Sequence, residues 1–178
     1  MQTLTEKLYK ESVSDLKMKF SYSNELEIPR LKMISLNVGI KAADSDNKFL
    51  SYLSTQVSNI AGQKAVLTKS RKAISTFKLR KDLPIGCRVT LRGKKMYQFF
   101  DKLVNIALPR VRDFRGLSSK GFNQSGHYSF GFKEHNAFLE VDLDNILKVF
   151  GMNVTIVTTA KTKEESLYLL KKLNLPIK

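Results

Sequence analysis

The stretch RLKMISLNVGI, residues 30–40, alternates without a break. Ile34, Leu36, Val38 and Ile40 fall on one side of an extended chain, and Met33, Ser35, Asn37 and Gly39 on the other. A strand written this way has one side for a core and one side that calls for no apolar cover. CRVTLRG, residues 87–93, repeats the pattern, with Cys87, Val89 and Leu91 facing one way and Arg88, Thr90 and Arg92 the other. Sheets of such strands need a helix layer on one face only. The expected fold is therefore α+β: a two-layer sandwich, a largely antiparallel sheet with helices packed on one face and the other face open.

The remaining segments fit that plan. Residues 3–18 read as a helix with Leu4, Leu8 and Leu16 on or near one side. AADSDNKF is a turn and helix start, after which Phe49, Leu50, Leu53, Val57 and Ile60 keep helical spacing until Gly62 stops it. KAVLT is a short strand running into a basic loop. Residues 94–108 form a helix buried through Met96, Phe100, Leu103 and Ala107, and Pro109 ends it. HYSFGF alternates with Tyr128, Phe130 and Phe132 on one side, and MNVTIVTTA, apolar on both faces, reads as a central strand. Thr162 with Glu165 is a capping box for a last helix built on Leu167, Leu170 and Leu173. The order is helix, strand, helix, strand, strand, helix, strand, strand, helix. A chain of 178 residues without repeats or low-complexity linkers reads as a single domain over 1–178, with projecting loops at about 69–84 and 109–126.

Charge is the next constraint. The chain carries 31 Lys+Arg against 16 Asp+Glu, and the excess sits in two blocks. Residues 64–95 hold eleven bases and one acid, residues 110–133 hold five and one, and everything else is balanced to within one charge. A solvated surface mixes its signs, so local blocks of one sign point to a polyanion, here nucleic acid. In the first block Lys69, Arg71, Lys72, Lys78 and Arg80 supply phosphate charge, and Ser70, Ser75 and Thr76 supply hydroxyls for phosphate or 2′-OH. In the second, RVRDFRGLSSKGFNQSG has no hydrophobic period, and a structureless stretch of that length inside a compact domain signals a task. Arginine forks match phosphate there, while Phe114 and Phe122 serve either to stack on a partner or to peg the loop to its own domain. The open strand face adds Asn37, Arg88, Thr90 and Arg92, a surface of the kind sheet-based RNA readers present.

Enzyme chemistry finds little to work with. His127 and His135 are the only histidines, no HExxH or phosphate-binding GxxxxGK[ST] occurs, and no metal, cofactor or catalytic set is expected. Cys87, the single cysteine, excludes an internal disulfide and a multi-cysteine zinc site, and it reads as a packed thiol. Glu140, Asp142 and Asp144 read as a charged helix start. Nothing approaches the ~18 apolar residues of a membrane span, and the N-terminal stretch resembles neither a secretory signal nor a transit peptide. The expectation is a protein used where it is made, in a bacterial cytoplasm or inside an organelle with its own genome, with no membrane partner.

IPRLKMISLNVGI, AGQKAVLTKSRKAIS, FKLRKDLPIGCRVTLRG, LPRVRDFRGLSSKGF and VTIVTTAKTKEE closely resemble the L-five family of large-subunit ribosomal proteins, in order and over almost the whole chain. The resemblance implies an α+β fold whose open sheet face binds 5S rRNA in the central protuberance. It assigns RNA contact to Asn37, Gln63 and Thr90, with Ala65 used through its backbone; Arg88 and Arg92 join them from the face pattern. The loop matching residues 70–84 would reach the P-site tRNA elbow, with Lys69, Arg71, Lys72, Ser75, Lys78 and Arg80 as its contacts. The loop matching residues 110–126 would make an intersubunit bridge to a small-subunit head protein of the S-thirteen family, through Arg110, Arg112, Asp113, Phe114, Arg115 and Lys120. Large-subunit rRNA and neighbouring large-subunit proteins complete the implied partners.

The chain departs from the family pattern in two places. The bridge loop usually ends Asp-Gly-Arg-Gly-Asn-Tyr, whereas here it reads NQSGHYS, with Ser125 in place of the arginine. Downstream, Leu139 stands where a proline is usual. Lysines outnumber arginines 23 to 8, which suits an AT-rich genome. With the divergent last third, this leans to a mitochondrially encoded copy in the matrix rather than a bacterial cytoplasm. The alternatives from other classes are a non-ribosomal RNA-binding regulator and an RNA-modifying enzyme.

Overall fold

The computed structural model describes residues 3–40, 46–142 and 145–178. Within them the element order is the expected one: α1 (Leu4–Phe20), β1 (Leu31–Gly39), α2 (Asn47–Ala61), β2 (Val66–Lys69), β3 (Pro84–Leu91), α3 (Gly93–Lys102), β4 (Tyr128–Phe132), β5 (Met152–Thr158) and α4 (Lys163–Lys172). The strands stand in the order β2-β3-β1-β5-β4, so β5 is interior, as its apolar faces require. Neighbouring strands run antiparallel. Val66 pairs with Arg88 and Leu67 with Cys87, Ile40 N–H donates to the Ile85 carbonyl at the end of β1, and Thr159 N–H donates to the Arg30 carbonyl at its start. The fold is α+β.

The chain divides into two compact units. The first comprises Met1–Ile34, Arg92–Phe130 and Thr155–Lys178; the second comprises Ser35–Leu91 and Gly131–Val154. In the first unit α1 packs on α3 and α4. The core there is Leu16, Ile34, Met96, Phe99, Phe100, Leu103, Ile156 and Leu170. Thr3 and Glu6 form a reciprocal cap on α1, and Thr162 and Glu165 do the same for α4. Beyond Lys102, α3 widens into a π-helical turn at Leu103–Ala107 that still buries Leu103 and Ala107. In the second unit α2 packs on β3 and covers the side bearing Cys87, Val89 and Leu91. Gly62 ends α2 in the left-handed region, where a glycine carries no Cβ penalty.

Three expectations are corrected. Leu4 is half exposed, because α1 is held instead through Thr5, which bonds the Asp101 carboxylate, and through buried Ser12 and Leu16. In α4 the buried positions are Ser166, Leu169 and Leu170; Leu167 is only half-buried. The acids at Glu140 and Asp142 start no helix among the described residues; Asp144 lies outside them, as do residues 41–45 of the expected turn. The segment is pinned by successive short turns, Phe138 N–H to the His135 carbonyl and Val141 N–H to the Phe138 carbonyl, with His135, Phe138, Val141 and Phe150 buried.

Candidate nucleic-acid interface

The second unit carries five of the six face residues. Asn37 is exposed in β1 between buried Leu36 and Val38. Next to it in β3, Arg88 is exposed and Thr90 half-exposed, opposite the buried row of Cys87, Val89 and Leu91. Burial pushes the Cys87 thiol up to about 11, so it is a packed, unreactive group. The two strands lie so close at Gly86 that a Cβ there would fall 2.1 Å from the Val38 carbonyl oxygen. Only glycine lets β3 approach β1 at this point. Gln63 follows the αL turn at Gly62, and its Nε2 donates to the Thr90 carbonyl at 3.2 Å, which fixes the amide at the end of β3. Ala65 is buried and its N–H donates to Ser58 Oγ at 2.9 Å. Arg92 belongs to the first unit, where it is exposed and donates to Met33 Sδ at 3.4 Å.

Sequence reasoning missed residues on this surface. Val66, paired with Arg88 and 69% exposed, shares its side of the sheet; half-exposed Ser35 in β1 stands on the side its alternation gave it. Asn153 in β5 is exposed opposite buried Met152 and Val154. Its signal was available: in MNVT the polar residues Asn153 and Thr155 alternate, and the apolar weight of the strand hid them. The exposed side of β1 and β3 in this unit is thus Ser35, Asn37, Arg88 and Thr90. No carboxylate stands among them, and the hydroxyls and amide are short. Such a surface admits an RNA backbone closely and offers donors and acceptors to 2′-OH groups and base edges.

The basic loop between β2 and β3 is an ordered hairpin. Ser70 N–H donates to the Leu83 carbonyl at 2.8 Å and Asp82 N–H to the Ser70 carbonyl at 3.0 Å. Farther out, Ile74 and Leu79 exchange two bonds of 3.0 Å around the 3₁₀ turn Ser75–Phe77. Lys69, Arg71, Lys72, Ser75, Lys78 and Arg80 are all exposed on it. These bonds close the two arms of the hairpin on each other and leave its basic side chains in solvent.

The second basic loop belongs to the first unit and has two halves. Arg110, Arg112, Asp113 and Arg115 are exposed and Phe114 is half-buried. From Leu117 onward the chain is tied down. Leu117 N–H donates to the Pro176 carbonyl at 2.8 Å, and Lys178 N–H returns to the Leu117 carbonyl at 2.9 Å. Tyr128 Oη donates to the Ser118 carbonyl at 2.9 Å, and the Phe122 ring packs on Tyr128 with centroids 4.5 Å apart. Phe122 is the peg, and the exposed cations cluster before it; Lys120, exposed, is held within the tied half.

His127 is half-buried in the first unit and His135 is buried in the second. Among the described residues no group of three His, Cys, Asp or Glu is placed to hold a metal ion. No described helix is long and apolar enough to cross a membrane.

Comparison with known proteins supplies the remaining constraint. The family model described as Ribosomal protein L5 matches residues 24–80, and the model for the C-terminus of the same ribosomal family matches residues 84–177. Among curated proteins, the chain is similar to large ribosomal subunit protein uL5 of Desulfotalea psychrophila, 51% identical over all of this chain and 99% of that one. The uL5 protein of Geobacter sulfurreducens is 50% identical over the same shares, and that of Clostridium botulinum 48% identical over 99% of this chain and 98% of its own. These relatives are bacterial and lend no support to the mitochondrial expectation.

Proposed function

Because the chain belongs to the L5 family of large-subunit ribosomal proteins, we propose that the exposed side of β1 and β3 is its 5S rRNA-binding face, in the central protuberance of a bacterial large subunit. The chain is a structural constituent of the large ribosomal subunit and not an enzyme, and its partners are rRNA and ribosomal proteins. Asn37, Gln63, Arg88 and Thr90 make the 5S contacts, with the Ala65 carbonyl, Arg92 and large-subunit rRNA beside them. The hairpin at residues 70–83 meets the P-site tRNA elbow. Arg110, Arg112, Asp113, Phe114 and Arg115 form the intersubunit bridge to the S-thirteen-family protein, with Lys120 behind them, and residues 1–178 serve as one ribosomal domain.

The supporting observation is the composition of the exposed strand face: an amide, two hydroxyls and a guanidinium, with no acid and no bulky cover. Removing the Thr90 hydroxyl leaves an RNA group unpaired, a loss of about 1–3 kcal/mol. Binding of the purified protein to its 5S rRNA across a salt series tests this. Thr90→Val and Asn37→Ala should weaken binding while the salt slope stays near −0.7 to −0.9 per phosphate contact. Unchanged affinity in a folded variant overturns the assignment. Replacing Arg112 and Arg115 together by glutamine should leave 5S affinity intact and weaken subunit joining; the reverse result moves the loop to RNA.

A further inference from the structure

The hairpin at residues 70–83 does something a purely ionic loop has no need to do: it holds apolar side chains in water. Phe77 is 65% exposed and Ile74 is 42% exposed, both at its outer end. They are held there by built geometry. The reciprocal Ile74–Leu79 bonds close the turn, Lys78 N–H bonds the Ser75 carbonyl at 2.9 Å, and Lys78 takes φ +53, a left-handed conformation that lysine adopts at a cost. Around this tip stand Arg71, Lys72, Lys78, Arg80 and Lys81, all exposed, with Asp82 the only acid.

An exposed aromatic ringed by cations on an ordered hairpin is suited to a nucleobase whose face is uncovered. The cations engage phosphates on either side and the ring stacks on the base. A duplex interior has no free base face, so the matching RNA is a loop or the open end of a stacked helix. An apolar protein surface would fit Phe77 and Ile74 but would have to face five unneutralised cations. We propose that Phe77 is the stacking residue of this hairpin, that Ile74 props its ring, and that the occupant is an unpaired or terminal nucleobase of RNA. The proposal rests on the reading of this hairpin as the tRNA-contacting element and gives it its specificity.

The test uses ribosomes assembled with the full-length variants, and the dissociation rate of P-site tRNA as readout, with 5S rRNA content as the control for assembly. Phe77→Leu should speed dissociation about 5- to 100-fold, as expected for one lost base–aromatic stack, and Phe77→Tyr should restore the wild-type rate. Arg71→Gln with Lys72→Gln should also speed it, with the effect shrinking as salt rises. If the cation variants act and Phe77→Leu does not, stacking is overturned while the tRNA reading stands. If neither acts, both fail. If Phe77→Leu behaves as wild type and Phe77→Ala does not, the tip meets an apolar protein surface, and the nucleobase is overturned.

Discussion

The hairpin at residues 70–83 and the loop at residues 110–126 read alike in sequence: basic, aromatic and without a hydrophobic period. The fold treats them in opposite ways. The hairpin closes its backbone on itself and leaves Ile74 and Phe77 in solvent. The loop borrows its partners from the rest of the first unit. Leu117 pairs with the segment at 176–178, Tyr128 bonds Ser118, and Phe122 lies on Tyr128. Local charge therefore does not tell whether an aromatic beside it is held outward or packed inward; that depends on what other chain lies within reach. One loop presents its ring and the other uses it as an anchor.

The contrast should be most visible in stability. Gly126 has φ +73, and a Cβ there would fall 2.8 Å from the Thr162 carbonyl oxygen. Gly126→Ala should cost about 1–3 kcal/mol in denaturant unfolding from strain and crowding. In the hairpin, exposed Thr76→Ala should stay within about 0.5 kcal/mol. A smaller difference separates the aromatics. Phe122→Ala should lose about 1–2 kcal/mol from its packing on Tyr128, and Phe77→Ala almost none. Equal losses would erase the distinction between anchor and presented ring.

The gentlest probe is acid. His135, in the second unit, is fully buried and stacks on Phe150 with centroids 3.9 Å apart. Its Nδ1 accepts the Phe150 N–H at 3.3 Å, and Nε2 lies 3.4 Å from Tyr52 Oη, so the neutral ring is the one that fits. Burial holds its pKa below the ordinary 6.5. The unfolded chain then binds the proton more readily, so stability present above about pH 6.5 is lost as pH falls through the lowered folded value. Hydrogen exchange should show amides of residues 132–138 losing protection as pH falls below about 6.5, before those of residues 117–128. His135→Gln should flatten that dependence.

The one-sided strands were legible in the sequence because alternation has a period of two and a side chain's face follows from its parity. Alternation alone puts Asn37, Arg88 and Thr90 on one side, the side the fold leaves uncovered. The capping box at Thr162 and Glu165 and the stop at Gly62 were legible for the same reason, since each depends on residues within one turn. The helix expected after Glu140 failed because its acids fit a helix start locally, while buried His135, Phe138, Val141 and Phe150 hold the chain in short turns. The fates of Phe77 and Phe122 lay equally beyond local reading. Tyr128, six residues from Phe122, comes onto its ring only because the chain turns back through residues 123–127, where Asn123 N–H bonds the His127 carbonyl. The sequence by itself determined which residues alternate, cap and carry charge; contacts made by folding decided which of them were left facing outward.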